Sequence, residues 1–442
     1  MSRIALSESR KLRFAVFTAY YFMQGLPIGL FIIALPAWFT ANDIPKEQIA
    51  SFIGIAGLPW ALKLLAGPVI DKFNFFPMGL RRPWIIAMLL LMMLSSLGLL
   101  FVTDIKTQFW FLAGVCTAMS AFAAIEDVAV DGLAIAIIPE DERGRANAFM
   151  AGGQRVGMSI TGVVAIQLLN TIGVPAIGLY ILIAASVILV VTLLVPERPG
   201  ERHFPWSDGE SQVGEDVISG TAVQRTKTLI RSLVFPMSLL LICAAFIDTL
   251  SEGMLAVWRP QIAINQLSYT DAQYANWFSI FSFAAAIIAI AYGPVIDKFG
   301  ACRAYRWVLL VYFGFFIIVF FSLNHWSSPY LVLGAFFFQL LGSSFLFITG
   351  IALAMSVCRV SIATTQFACY MAIFNLGRST GSWVYPELVD FAGLTSIAAA
   401  IAAVTIIAWF LLGFFDLEKH KQHLARNKAL QPKNRVIQNN NA

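Results

Sequence analysis

Eight ionisable side chains stand inside long apolar runs of this 442-residue chain: Lys63, Arg155 and Arg378 against Glu126, Asp127, Asp131, Asp248 and Glu252. On insertion scales each costs about 2.5–3.5 kcal/mol at the centre of a membrane helix, so such residues usually face a cavity and pair. Asp127 and Asp131 are four apart and share a helical face, as do Asp248 and Glu252. Two carboxylates in a low dielectric do not both ionise readily, which makes either pair a candidate proton carrier. Glu126, about 100° round the helix from Asp127, joins them as a third candidate position. Five acids against three bases leave two acids without a cation, more than pairs that only orient helices require. Lys63, Arg155 and Arg378 read equally as ion-pair partners or as anchors for an anionic substrate. Gln24, Ser251 and Gln339, with Ser343 and Ser344, are polar positions that either line the same cavity or hydrogen-bond between helices.

The elements that position these residues follow from composition. The chain is 59% hydrophobic and 12% charged, where soluble domains are about 45–50% apolar and about 25% charged. Runs of about 20 apolar residues span a bilayer. Twelve are predicted, at 14–40, 50–70, 83–102, 108–137, 146–168, 175–194, 233–258, 272–295, 305–323, 329–357, 365–386 and 394–415. The first is too long for a signal-peptide core and is expected to stay as a span. Residues 1–195 then form one six-helix bundle and 232–415 another. The Pro-, Gly- and charge-rich stretch 196–231 is the linker, and 416–442 is a basic tail.

Lysine and arginine placement sets the orientation. The outer loops hold Lys46, Lys106 and Arg259 and the spans hold three more, leaving 24 of the 30 for cytoplasmic segments if both termini are cytoplasmic. Spans four and five run antiparallel about a loop near residue 142, so Arg155 is expected at the depth of residue 129, between Asp127 and Asp131. Lys63 lies eight residues before Asp71, about 12 Å at 1.5 Å per residue. Pro27, Pro36 and Pro59 are expected to kink their helices.

A literal internal repeat ties the halves together. Gly67-Pro-Val-Ile-Asp71-Lys72-Phe73 recurs as Gly293-Pro-Val-Ile-Asp297-Lys298-Phe299, 226 positions on. Phe22, Gly29 and Pro36 match Phe246, Gly253 and Pro260 at an offset of 224. Six spans separate the copies, so the repeats are parallel, and a substrate site is expected at their interface near the midplane.

The repeated segment resembles motif A of the major facilitator superfamily, Gly-x-x-x-Asp-(Arg/Lys)-x-Gly-(Arg/Lys). The second copy continues to Gly300 and Arg303. The first has an insertion before Gly79, Arg81 and Arg82. The resemblance implies an all-α membrane protein with the major facilitator fold: twelve helices in two six-helix bundles related by pseudo-twofold symmetry, spans one, four, seven and ten lining the cavity. It also implies a gate built from Gly67, Asp71, Lys72, Arg81, Arg82, Gly293, Asp297, Lys298 and Arg303.

More specific segments are Ala123-Ala-Ile-Glu126-Asp127-Val-Ala-Val-Asp131, Gln154-Arg155-Val-Gly157, Leu62-Lys63-Leu-Leu-Ala-Gly67-Pro68 and Ala363-Thr-Thr-Gln366-Phe-Ala368 with Gly377-Arg378. Together they resemble the AmpG-like permeases, which include muropeptide importers, acetyl-CoA transporters and siderophore permeases. Lys63, Asp127, Asp131, Arg155, Asp248 and Arg378 fall where that family has charged residues. Glu126 stands where muropeptide importers usually have a neutral Gln, and several of them carry more than twelve helices. Both departures lean toward a siderophore-type member.

The resulting expectation is a secondary active transporter of the inner membrane, a proton-coupled symporter importing an anionic or zwitterionic solute such as a muropeptide. The alternatives are a siderophore uptake permease or a proton-antiport exporter, the latter disfavoured by the absence of a Gly-Pro motif in span five. Gly377-Arg378-Ser379-Thr380-Gly381 has the Gly-x-Ser-x-Gly spacing but lies inside span eleven and not at a strand-to-helix turn, no His-Glu-x-x-His motif appears, and His203, His325, His420 and His423 lie outside the spans, so no enzyme is expected. A duplicated chain gives no ring of equivalent side chains for a channel. The five cysteines lack metal-ligand spacing, and no metal or cofactor is expected. The expected partners are a small-molecule solute, protons and the lipid bilayer, with no nucleic acid, in a monomer.

Overall fold

The computed structural model describes residues 5–73, 76–139, 142–209, 229–322, 329–358, 363–416 and 418–419. Among these, twelve helical bodies follow one another: α1 (Arg10–Ala41), α2 (Lys46–Leu65, continuing as Ala66–Lys72), α3 (Arg82–Phe101), α4 (Phe109–Ile137), α5 (Arg143–Thr171) and α6 (Val174–Leu194). The second set is α7 (Pro236–Gln266), α8 (Asp271–Ala291, continuing as Gly293–Phe299), α9 (Ala301–Ser322), α10 (Pro329–Val357), α11 (Ala363–Ala392) and α12 (Ser396–Phe414).

Nine of them are long and apolar enough to cross a membrane by length and composition. The other three, α5, α8 and α11, belong to the set that meets across the halves: α2 packs on α11, and α5 on α8. A helix that faces protein on more sides needs less apolar surface for lipid.

Most predicted spans lie within a few residues of these helices. The main departure is α7. The predicted span stops at 258, whereas the helix runs through Arg259 and Pro260 into a π-helical turn at Gln261–Gln266. A similar turn, Leu30–Ala34, interrupts α1. Arg259 therefore belongs to the helix and is 5% exposed, not in an outer loop.

Glycine sets the tightest packing, and sets it twice. A Cβ on Gly157 would strike the Phe22 carbonyl of α1, and one on Gly29 the Met158 carbonyl of α5. In the second half a Cβ on Gly377 would meet the Phe246 carbonyl, and one on Gly253 the Arg378 carbonyl. Only hydrogen allows backbones this close. These pairs register α1 with α7 at an offset of 224, but α5 with α11 at 220, which is also the offset of their first residues, Arg143 and Ala363. Arg378 thus corresponds to Met158, and the counterpart of Arg155 is Asn375.

The halves touch over one end of the bundle. Lys46 pairs with Asp390, Asn170 donates to Asp271 at 3.1 Å, and Ser159 donates to the Ser279 carbonyl at 3.3 Å. Leu35–Ala41 of α1 meets Gln261–Gln266 of α7 at the same end. Toward the end that holds the N-terminus, Ala66–Lys72 packs on α4 and Gly293–Phe299 on α9, each within its own half. The cleft between the halves opens there, on what is called the N-terminal face below.

That face is tied together by buried polar groups. The Glu197 carboxylate accepts from the backbone N–H groups of Leu80, Arg81 and Arg82 at 2.9, 2.7 and 2.5 Å. Arg82, 1% exposed, donates to the carbonyls of Thr192, Leu193 and Arg202 at 2.7, 2.5 and 2.7 Å. Leu6 and Ser7 donate to the Pro196 and Glu197 carbonyls, and Arg13 pairs with Glu142 at 2.7 Å. Segment 196–209 is thus laid against the first half.

Candidate functional site

In the first half the five expected residues do not pair as depth alone suggests. Lys63 sits at a 3₁₀ turn of α2 and pairs with Asp127 of α4, both largely buried, and its ammonium lies 5.4 Å from the Trp60 ring centroid. Asp131, one turn on, accepts from the Tyr21 hydroxyl of α1 at 2.5 Å. Arg155, at the matching depth on α5, pairs with neither. Its guanidinium reaches across the cleft to within 5.7 Å of the Phe347 ring of α10, and the charges acting on it are Arg378 and Glu252 of the other half. Depth fixed Arg155 along the helix axis; lateral packing turned it toward the second half.

Glu126 is fully buried, and neither carboxylate oxygen has a hydrogen-bond partner among the described residues. Gln24 of α1 is equally buried and equally unpartnered at both amide atoms. Tyr20, one turn before Gln24, feels the Glu126 charge and interacts with Thr192 of α6, so this group lies inside the first bundle, away from the cleft.

The second half holds a larger network. Glu252 accepts from Ser343 of α10 and from Arg259 at 3.3 Å. Arg259 donates through Nε to Gln339 Oε1 at 2.7 Å and lies 5.4 Å from the Phe278 ring centroid. The Gln339 amide donates to Tyr312 at 3.0 Å and to Ser343 at 2.8 Å. Gln339 is therefore a framework member, and Arg259 a fourth intramembrane cation that sequence counting had placed outside. Asp248 accepts from Tyr305 at 2.7 Å through one oxygen, while its other oxygen is buried without a partner among the described residues. Ser251 donates to the Asp248 carbonyl at 2.5 Å, so its hydroxyl is spent within α7 and does not line the cavity as one expected reading had it. Arg378 donates to Asn375 at 3.2 Å, and Asn375 to the Trp60 carbonyl at 3.3 Å. Among the described residues neither Arg155 nor Arg378 has a carboxylate partner; both lie in the field of Glu252, which Arg259 already pairs.

Of the expected gate, the side chains of Asp71, Lys72 and Asp297, and the surroundings of Gly293, lie outside the described residues. Gly67 would find open space around a Cβ. Arg81 approaches Gly132 of α4, Lys298 lies over the Phe299 ring at 5.2 Å, and Arg303 is exposed.

The sequence profile of the Major Facilitator Superfamily matches residues 17–244 and again 241–439, one copy on each half. The chain belongs to the Major Facilitator Superfamily. Its fold is that of the superfamily, two six-helix bundles related by a pseudo-twofold axis. Two solved transporters superpose at a TM-score of 0.69. One is a POT family transporter in complex with a thioalcohol-conjugated peptide, 12% identical and covering 92% of this chain and 96% of its own. The other is a D-xylose–proton symporter, 13% identical over 92% and 97%. Among curated relatives, the anhydromuropeptide permease of Escherichia coli K12 is 24% identical over 422 residues, 89% of this chain and 79% of the relative. A putative transporter AmpG 4 of Rickettsia felis is 25% identical over 189 residues, 41% of this chain and 45% of the relative. As a superfamily member of this kind the chain is a multi-pass membrane protein and a secondary transporter, not an enzyme.

In this major facilitator chain the partners that sequence reasoning missed are mostly phenols: Tyr21, Tyr305 and Tyr312. A tyrosine in an apolar run reads as a hydrophobe, so only an acid at matching depth on a neighbouring helix would have flagged it. Arg259 carried a clearer signal, since Trp258 and Pro260 flank it inside an otherwise apolar stretch.

Proposed function

We propose that this chain is a proton-coupled importer of an anionic or zwitterionic solute of the muropeptide kind. It lies in the inner membrane as a monomer, with its N-terminal face to the cytoplasm. One observation carries the reading: Arg155 and Arg378, one from each half, have no carboxylate partner among the described residues, so an anion can recruit both. The coupling reading draws on the acids that lack a cation. Asp131 and Asp248 are held by phenols and Glu126 by nothing among the described residues, so each can take or lose a proton without breaking an ion pair. Likeness to the anhydromuropeptide permease supports the substrate class. A siderophore is the second reading, and it rests on Glu126, an unpaired acid where muropeptide importers carry a neutral Gln.

The test is uptake of a labelled anhydromuropeptide into proteoliposomes under an imposed pH gradient. Uptake should follow the gradient, collapse with a protonophore, and fall at least tenfold in Arg155→Gln. Uptake indifferent to the gradient, and surviving neutralisation of Asp131, Asp248 and Glu126 in turn, would end the coupling reading.

A further inference from the structure

We infer that Glu252 is a tethered competitor of the solute: its carboxylate swings from Arg259 to Arg155 and Arg378 when the solute leaves, and an arriving anion displaces it. The inference rests on the anion reading above and concerns what fills the same two arginines on the empty half of the cycle.

Three arginines surround this one carboxylate. Arg259 of α7 reaches one oxygen at 3.3 Å, and Ser343 of α10 donates to the other. Phe347 follows Ser343 by one turn on the same face of α10, and the Arg155 guanidinium of the first half lies 5.7 Å from its ring centroid. Gly253, the residue after Glu252, packs so closely on α11 that a Cβ there would strike the Arg378 carbonyl. The Glu252 charge accordingly acts on both Arg155 and Arg378.

The hold on Glu252 is loose at the Arg259 end of the swing. A charge-assisted N–H···O bond runs to about 2.7–2.9 Å, and the Arg259 contact is longer and uses one nitrogen. Arg259 has other support, from Gln339 at 2.7 Å and the Phe278 ring, and both remain when Glu252 departs. Ser343 likewise keeps Gln339 and Tyr312 as partners. From Ser251 to Pro260 every residue is buried except Glu252, whose side chain is 23% exposed. It is the one group of that stretch with room to move.

Net import requires the halves to close around an empty site on the return step. Enclosing two guanidinium groups without a counter-charge is costly. Glu252 supplies that charge from within the chain, and it exchanges one arginine for another without being stripped bare.

The experiment follows a labelled anhydromuropeptide with the full chain, as equilibrium binding in lipid nanodiscs and as net uptake beside counterflow exchange in proteoliposomes. Glu252→Gln, whose amide oxygen still accepts from Arg259 and Ser343, should bind the probe about fivefold tighter, because no competitor occupies the arginines. It should lose most of its net uptake and keep counterflow, since exchange never returns an empty carrier. Ser343→Ala, which loosens Glu252 from the Arg259 side, should weaken binding, and should have no effect in the Glu252→Gln background. Arg155→Gln should weaken binding about tenfold. Unchanged affinity in Glu252→Gln, or net uptake and counterflow lost together, overturns the tethered competitor and leaves the anion reading standing. Binding that survives Arg155→Gln overturns the anion reading and the competitor with it. Failure of both the wild-type chain and Glu252→Gln to bind the probe overturns both.

Discussion

The guanidinium of Arg259 lies 3.3 Å from the Glu252 carboxylate, seven residues and about two turns back along the same helix. This contact pairs the carboxylate whose charge also acts on Arg155 and Arg378, neither of which has a carboxylate partner among the described residues. The arginine side chain is 6% exposed, and breaking a buried pair from one side costs about 3–5 kcal/mol. Arg259→Gln should lower the thermal unfolding temperature in detergent clearly. Glu252→Gln combined with Arg259→Gln should recover part of the loss, since no charge is then stranded. Equal loss in the single and double variants would show that the pair is not what matters.

Arg378→Gln should weaken solute binding about tenfold while leaving the melting temperature nearly unchanged, because its hydrogen bond to Asn375 can be made by an amide. Equilibrium binding beside a thermal melt separates the two effects. A large fall in stability with unchanged affinity would recast Arg378 as a framework residue.

Glycine at the helix contacts gives a sharp contrast. Gly157→Ala places a methyl against the Phe22 carbonyl and Gly253→Ala one against the Arg378 carbonyl. Each should destabilise by about 1–3 kcal/mol. Gly152→Ala, five residues before Gly157 and opening on space, should be neutral. Melting temperatures of the three variants in one detergent decide it.

The docked segment 196–209 should respond to pH. Burial, aided by the Glu197 charge, pushes the Glu201 carboxyl up to about 7, and burial also raises Glu197 against the amides of residues 80–82. An acid raised on docking binds its proton more tightly when docked, so its contribution is full below about 4.5 and is lost as pH rises toward 7. Hydrogen-exchange protection of residues 197–203, corrected for intrinsic rates, should fall between pH 5 and pH 8. Glu201→Gln should flatten that dependence. A profile unchanged by the substitution would exclude Glu201 as its source.

Much of the architecture was legible because lipid enforces length: twelve apolar runs can hardly be anything but twelve helices, and the repeated Gly67–Phe73 segment announces two halves. The helix that was misread, α7, fails for a physical reason. Arg259-Pro260 looks like a helix end only until Glu252 and Gln339 are known to receive the arginine. The same holds within the site. The separation of Glu126 from Asp127 follows from 3.6 residues per turn, and the structure keeps Glu126 out of the cleft. The choice of Lys63 over Arg155 as partner for Asp127 depends on how helices are rotated about their axes, which depth arithmetic does not contain. The deep phenols were invisible for the same reason.

The slip of α11 against α5 has a consequence for the transport cycle. Arg378 corresponds to Met158, three residues beyond the position equivalent to Arg155, which is about 4.5 Å at 1.5 Å per residue. The two cations are therefore rungs at different heights and not a level pair. Perfect twofold symmetry about an axis along the membrane normal would set both cations at one depth. Here Arg155 stands nearer the N-terminal face and Arg378 nearer the opposite one, so the pair marks a direction along the bundle that the repeat alone does not supply.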